Sequence, residues 1–140
     1  MVKNLSYNSK KIKTLLTEVV GRPLSLTERF KLRGIGSNKL VITDASKEIV
    51  ELLRLDNNIN YCNIEIRKNG IIIRFRSLLE TYGLIIPFYK LVIYKGESKI
   101  YSFYKDRHYV KCFVDNENST LFIKKVIRLK NVYLKKMGLN

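Results

Sequence analysis

The chain has 140 residues, enough for one domain with one continuous core and too few for two ordinary ones. A hydrophobic fraction of 46% beside 28% charged residues excludes disorder over most of the length. Lys and Arg number 27 against 12 Asp and Glu, and the net charge of +15 favours an anionic partner: nucleic acid, an anionic lipid surface or an acidic protein.

That charge is spread along the chain. Residues 1–70 hold 13 basic and 7 acidic groups, and 71–140 hold 14 and 5, so no basic tail stands apart. A coding bias that enriches Lys, Ile, Asn and Tyr together would give a similar excess. The N-terminus lacks an apolar signal core, and no apolar run reaches bilayer length. Cys62 and Cys112 lie in alternating apolar segments without metal-ligand spacing, which reads as buried thiols in a reducing compartment. A soluble cytoplasmic protein is expected.

In chain order, Asn8 or Ser9 caps a helix through KKIKTLLTEVV, whose Ile12, Leu15, Leu16, Val19 and Val20 form a one-sided stripe. After GRP, Ser25 and Glu28 have capping-box spacing and open a short helix to about Arg33. GIGSN breaks the chain, KLVIT at 39–43 suits a strand, and Thr43 or Asp44 caps a helix through KEIVELLRL. DNNIN at 56–60 reads as a polar turn.

From Tyr61 the apolar period becomes two. YCNIEIR and the strand after Asn69-Gly70 form a hairpin, for which a type I′ turn at Asn69-Gly70 pairs Ile64 with Phe75 and Glu65 with Arg74. TYGLIIP at 81–87 is another strand. A GES loop then pairs Ile93 with Tyr101 and Leu91 with Phe103, and an Asp106-Arg107 turn pairs Phe103 with Val110 and Tyr101 with Cys112. This places Leu91, Ile93, Tyr101, Phe103, Val110 and Cys112 inward, and Lys90, Ser102, Tyr104, Tyr109 and Lys111 outward. DNENST ends the sheet and caps a helix from about Thr120 to Lys136, apolar along Phe122, Ile123, Val126, Ile127, Leu129 and Tyr133.

Catalytic groups are sparse. His108 is the only histidine, the acids form no D-x-D or E-x-x-H pattern, and G-x-G in RGIGSNK completes neither a P-loop nor a dinucleotide fingerprint. No metal, cofactor or enzymatic role is expected. Three basic surfaces remain. The hairpin carries Arg67, Lys68, Arg74 and Arg76, whose guanidiniums offer paired donors to phosphate oxygens. A nucleic acid would instead meet Tyr104, Tyr109 and Lys111 on the sheet, or Lys124, Arg128 and Lys135 on the last helix.

The succession NYCNIEIRKNGIIIRFRS, LIIPFYKLVIYKG, HYVKCF and LFIKKVIRL resembles pleckstrin-homology-like domains, particularly the small bacterial ones, over about residues 60–136. The resemblance implies an antiparallel meander or partial barrel closed by an amphipathic C-terminal helix; residues 1–55 lie outside it and read as a mainly helical N-terminal part, so that an α+β fold in one domain over 1–140 is expected. In lipid-binding members a basic K-x(n)-R-x-R pattern on the first hairpin holds inositol phosphates, and Lys68, Arg74 and Arg76 match its letters. The resulting expectation is a non-catalytic binding module for an anionic ligand, a membrane surface or an acidic protein partner, with nucleic-acid binding as the alternative.

Overall fold

A computed structural model describes residues 2–7, 9–55 and 59–138. The elements are β1 (Val2–Asn4), α1 (Lys10–Val20), α2 (Leu26–Leu32), β2 (Leu40–Ala45), α3 (Lys47–Leu53), β3 (Tyr61–Arg67), β4 (Gly70–Ser77), β5 (Glu80–Pro87), β6 (Leu91–Lys95), β7 (Ile100–Lys105), β8 (His108–Phe113) and α4 (Glu117–Lys136). The chain is therefore α+β, with one antiparallel sheet in the order β1-β5-β4-β3-β2-β8-β7-β6. No helix among the described residues is long and apolar enough to cross a membrane.

Local chemistry accounts for the helices. Ser9 caps α1 by accepting from the Ile12 N–H at 3.1 Å, while Asn8 lies outside the described residues. Ser25 and Glu28 close both halves of the capping box of α2. Asn116 opens α4 three residues earlier than expected, accepting from the Ser119 N–H at 2.8 Å. The cap of α3 is Ser46 and not Thr43 or Asp44, because β2 runs on to Ala45 to stay paired with β8. Residues 56–58 of the expected polar turn lie outside the described residues.

The N-terminal part is less purely helical than its pattern suggests. The strand expected at 39–43 is β2, which sits in mid-sheet between β3 and β8, and the unforeseen strand is β1, which pairs with β5. Segments as short as VKN carry too little periodicity to be told from a loop.

The order of strands imposes a shape. β5 and β6 stand six places apart in the sheet yet are joined by residues 88–90 alone. Six spacings of a flat sheet would cover about 29 Å, whereas four Cα–Cα steps reach at most about 14 Å. The sheet must curl until these strands nearly meet. It remains open, with β1 and β6 as its two edges. The main core fills the concave side, where Ile64, Ile73, Phe75, Leu84, Phe103 and Val110 meet Ile49 of α3 and Phe122, Ile123 and Val126 of α4. Both cysteines are buried free thiols in this core, their sulfurs 3.4 Å apart. The hydrogen bond with Cys112, then burial, raises the Cys62 pKa well above the ordinary thiol range.

The hairpin register departs from expectation. Its two-residue turn is Lys68-Asn69, with Arg67 opposite Gly70, Ile64 opposite Ile73 and Glu65 opposite Ile72. The shift by two residues preserves which side chains share a face. A type I′ turn at Asn69-Gly70 is ruled out, since none of Lys68, Asn69 and Gly70 is left-handed. Gly70 is needed for space instead: a Cβ there would lie 2.4 Å from the Ile86 carbonyl oxygen and 2.7 Å from Val20 Cγ1. The β6–β7 loop shows the same two-residue shift, with Ile93 opposite Phe103 and Leu91 opposite Lys105. The Asp106-Arg107 turn keeps its expected register.

The convex face is also partly dry. α1 lays Leu16 and Val20 over Ile72 and Ile85, forming a second apolar cluster with Leu5, Ile12 and Val19 at its margin. Strands β4 and β5 are thus buried on both faces there, which explains the uninterrupted runs Ile71-Ile72-Ile73 and Leu84-Ile85-Ile86. Ser102, expected to face outward into water, is likewise buried.

Gly70→Ala should overpack the contact of α1 with the hairpin and cost roughly 2 kcal/mol. Urea denaturation checks this: the midpoint falls while the slope is unchanged.

Candidate anion-binding grooves

On the convex face, β3, β4 and β5 present successive rows: Arg67-Gly70-Pro87, Glu65-Ile72-Ile85, Asn63-Arg74-Gly83 and then Arg76-Thr81. α1 covers the first two. Glu65 sits at the margin of that cover, half-buried between two guanidiniums. Arg67 Nε donates to its Oε2 at 2.5 Å, and Arg74 Nη1 donates to its Oε1. Arg67 is only 8% exposed and also reaches the Gly21 carbonyl at the end of α1, 3.4 Å away. Burial alone would raise the Glu65 pKa. The charge and hydrogen bond of Arg74, with those of Arg67, outweigh it and hold the carboxyl below its usual range.

Beyond the ion pair the face opens into a groove of about 530 Å³ lined by Lys39, Tyr61, Asn63, Arg74, Arg76 and neighbouring residues. Lys39 Nζ lies 5.5 Å from the centre of the Tyr61 ring. Arg76 and Lys39 are exposed and meet no acid among the described residues. The nearby acids are directed elsewhere: Glu65 to Arg67 and Arg74, and Glu80 to Asn4 Nδ2 and the Tyr7 hydroxyl. At the rim stand exposed apolar side chains, Ile59 at 66% and Leu78 at 55%, and Leu79, the next residue of the β4–β5 turn, is 88% exposed. Leu78 holds a left-handed φ of 57° in the β4–β5 turn.

The four expected hairpin residues do not act together. Arg74 and Arg76 share the groove, and Arg67 is taken up by Glu65. Lys68 is exposed at the turn and borders a different, apolar groove between α2 and the end of α4, near Leu129 and Tyr133. Lys39 and Tyr61 were not foreseen as site residues. Only the pairing of β2 with β3 sets the lysine beside the ring, and neither residue belongs to a local motif.

The expected nucleic-acid residues also divide. Tyr104 and Tyr109 lie on the outward face of β7–β8 with ring centres 5.3 Å apart, and Lys111 Nζ is 5.6 Å from the Tyr109 ring. The Tyr109 hydroxyl donates to Asp44 Oδ2 at 3.5 Å. Lys124 and Arg128 belong to α4, which packs into the concave core on the other side of those strands. There they line a third groove, of about 790 Å³, with Lys31 and Arg33 of the α2 end and Lys125. Lys135 is exposed farther along α4 and outside it.

The G-x-G segment after α2 is laid against β3. Ile66 N donates to Ile35 O at 2.7 Å, Ser37 N to Ile64 O at 2.9 Å, and Gly36 bridges to Glu65. His108 flanks its turn with Nε2 3.6 Å from Glu48 Oε2, but burial, and then nearby positive charge, lowers its pKa. No cluster of potential metal ligands occurs among the described residues.

In comparisons with known proteins, no family model matches this chain, and no curated protein or solved structure matches it significantly.

Glu65→Gln removes the counter-charge of a buried arginine. It should destabilise the fold by about 3 kcal/mol, the low end for a broken buried pair, because Glu65 keeps some exposure. A depressed folded-state pKa contributes stability above the unfolded value of about 4.3, and this is lost as pH falls through the folded value. Acid titration of the melting temperature should therefore fall more steeply below pH 4 in the wild type than in Glu65→Gln.

Proposed function

We propose that this chain is a non-catalytic binding module of pleckstrin-homology-like type that engages an anionic membrane surface through the convex groove. The observation that carries this reading is a row of cations, of which Lys39 and Arg76 meet no acid among the described residues, beside an exposed apolar turn. Lys39, Arg74 and Arg76 would meet lipid phosphates, while Leu78, Leu79 and Ile59 would enter the interfacial layer beside them. Tyr61 has the amphipathic character suited to the same depth. The curled antiparallel sheet and the burial of the α4 stripe in its core support the resemblance in fold.

The hairpin contribution is narrower than its letters suggest. Arg74 and Arg76 supply the anion contacts, and Arg67 is a strut that positions Arg74 through their shared carboxylate. Because Arg74 is divided between Glu65 and the groove, Arg76 and Lys39 are the freer donors. The net charge of +15 would draw the chain toward a negative surface and would be screened at distances beyond about 8 Å at physiological salt. Placement in the cytoplasm accords with this reading, since anionic lipids are concentrated on that leaflet.

Co-sedimentation with phosphatidylcholine vesicles, with and without phosphatidylserine, tests the proposal. Retention should require phosphatidylserine. Arg76→Gln and Lys39→Gln should each weaken it roughly fivefold, at about 1 kcal/mol per charge. Leu79→Ser should weaken it about tenfold or more, from lost apolar burial. Equal retention on neutral vesicles, or indifference to all three substitutions, would rule the groove out.

A further inference from the structure

The groove between α2 and α4 is separate from the convex one, and its chemistry differs. Its lining includes Lys31, Arg33, Lys124, Lys125 and Arg128 but no carboxylate. We propose that it is a second anion site, which grips the phosphodiester backbone of a nucleic-acid duplex.

The walls are fixed by the fold. Arg33 ends α2 in a left-handed conformation, φ 58°, its N–H bonded to Phe30 O at 3.1 Å. A non-glycine residue held there costs about 1 kcal/mol or more, so the surrounding structure fixes where the Arg33 side chain departs. The following segment is pinned to β3 through Ile35 and Ser37, and Lys125 Nζ donates to the Gly34 carbonyl at 3.0 Å, tying α4 to that segment. Across the gap, Lys124 and Arg128 lie one turn apart on α4, about 6 Å along its axis.

Crowding of like charge follows. Burial, and then Arg128, lowers the Lys125 pKa, so the free groove holds its cations at a cost that an anion would remove. The features that suit a lipid surface are missing: among the described residues Leu121 is the one exposed large apolar side chain in the lining, and no apolar turn residue borders it as Leu78 borders the convex groove. A free nucleotide would need a surface for its base. The only aromatic ring in the lining, Phe122, is buried under Lys125 Nζ at 5.4 Å. Without an exposed ring to stack unpaired bases, contact is with phosphates alone, and a duplex presents these at the highest density.

Among the described residues four of the five cations have no carbonyl partner, so log K against log salt should have a slope of about −4, near −0.9 per neutralised phosphate. Fluorescence anisotropy of a labelled duplex DNA across a salt series measures it. Lys124→Gln with Arg128→Gln should reduce the slope by about 2 and weaken binding roughly tenfold to a hundredfold at low salt. The pair Lys10→Gln with Lys13→Gln, equal in charge but exposed on α1, should leave the slope unchanged; far-UV circular dichroism verifies that both variants are folded. Arg76→Gln should leave duplex binding intact. Absence of binding by the wild type, equal losses in the two double variants, or a loss with Arg76→Gln would each overturn the proposal. So would tighter binding of a labelled single strand, which would point to the Tyr104–Tyr109 face instead.

Discussion

Three residues, 88–90, set the geometry on which the rest of the molecule depends. They join strands six places apart in the sheet, so the sheet has to curl. The corner is held twice at Phe88. Phe88 N donates to Asn69 O in the β3–β4 turn, and the Phe88 ring is buried against Tyr133 of α4, with ring centres 5.7 Å apart. One buried aromatic thus links the corner, the hairpin turn and the C-terminal helix. Its burial contributes on the order of 2 kcal/mol, but its position matters more than its area, because it sets how far the two ends of the sheet approach.

Curling gives the sheet two unequal surfaces. The concave side takes most of the apolar residues and the α4 stripe. The convex side would be a solvated face were it not for α1, which follows a strand paired at the β5 edge and folds back over Ile72 and Ile85. This cover stops partway along the strands. At its margin the environment changes from dry to wet within one row of residues, and Glu65 lies on that boundary with a buried arginine on one side and a half-exposed one on the other. The arrangement gives the buried Arg67 a counter-charge where water is scarce while Arg74 reaches the open groove.

The same division concentrates charge. Several acids on these surfaces are engaged: Glu65 by two arginines, Glu28 by Arg22 with its pKa lowered to about 2, and Glu80 by Asn4 and Tyr7. Among the described residues, the charged groups that line the two grooves are therefore all positive. Each groove pairs its cations with different neighbours, apolar loop tips in one and polar loop groups in the other, and this difference in neighbours favours distinct anions.

Sequence by itself determined the elements and the faces of most strands. Capping residues, the two-residue period from Tyr61 and the stripe from Phe122 to Tyr133 are local signals, and each strand or helix they announce from Tyr61 onward is present. Register by two residues was not so fixed, because such a slip leaves every side chain on its own face and costs the pattern nothing. Gly70 illustrates the limit: its letter suggested a turn conformation, whereas its reason is the approach of Val20 and the Ile86 carbonyl. The triple runs at Ile71–Ile73 and Leu84–Ile86 were a legible sign of burial on both faces, and reading them as ordinary alternation left Arg67 in water. Only tertiary structure decided which cations share a groove. Lys39 meets Tyr61 and Arg76 through strand pairing, and Arg33 meets Lys124 through the packing of helices some 90 residues apart in the chain. Long-range proximity is set by how apolar surfaces close on one another, and polar residues carried to the rims leave no mark of it in their own sequence neighbourhood.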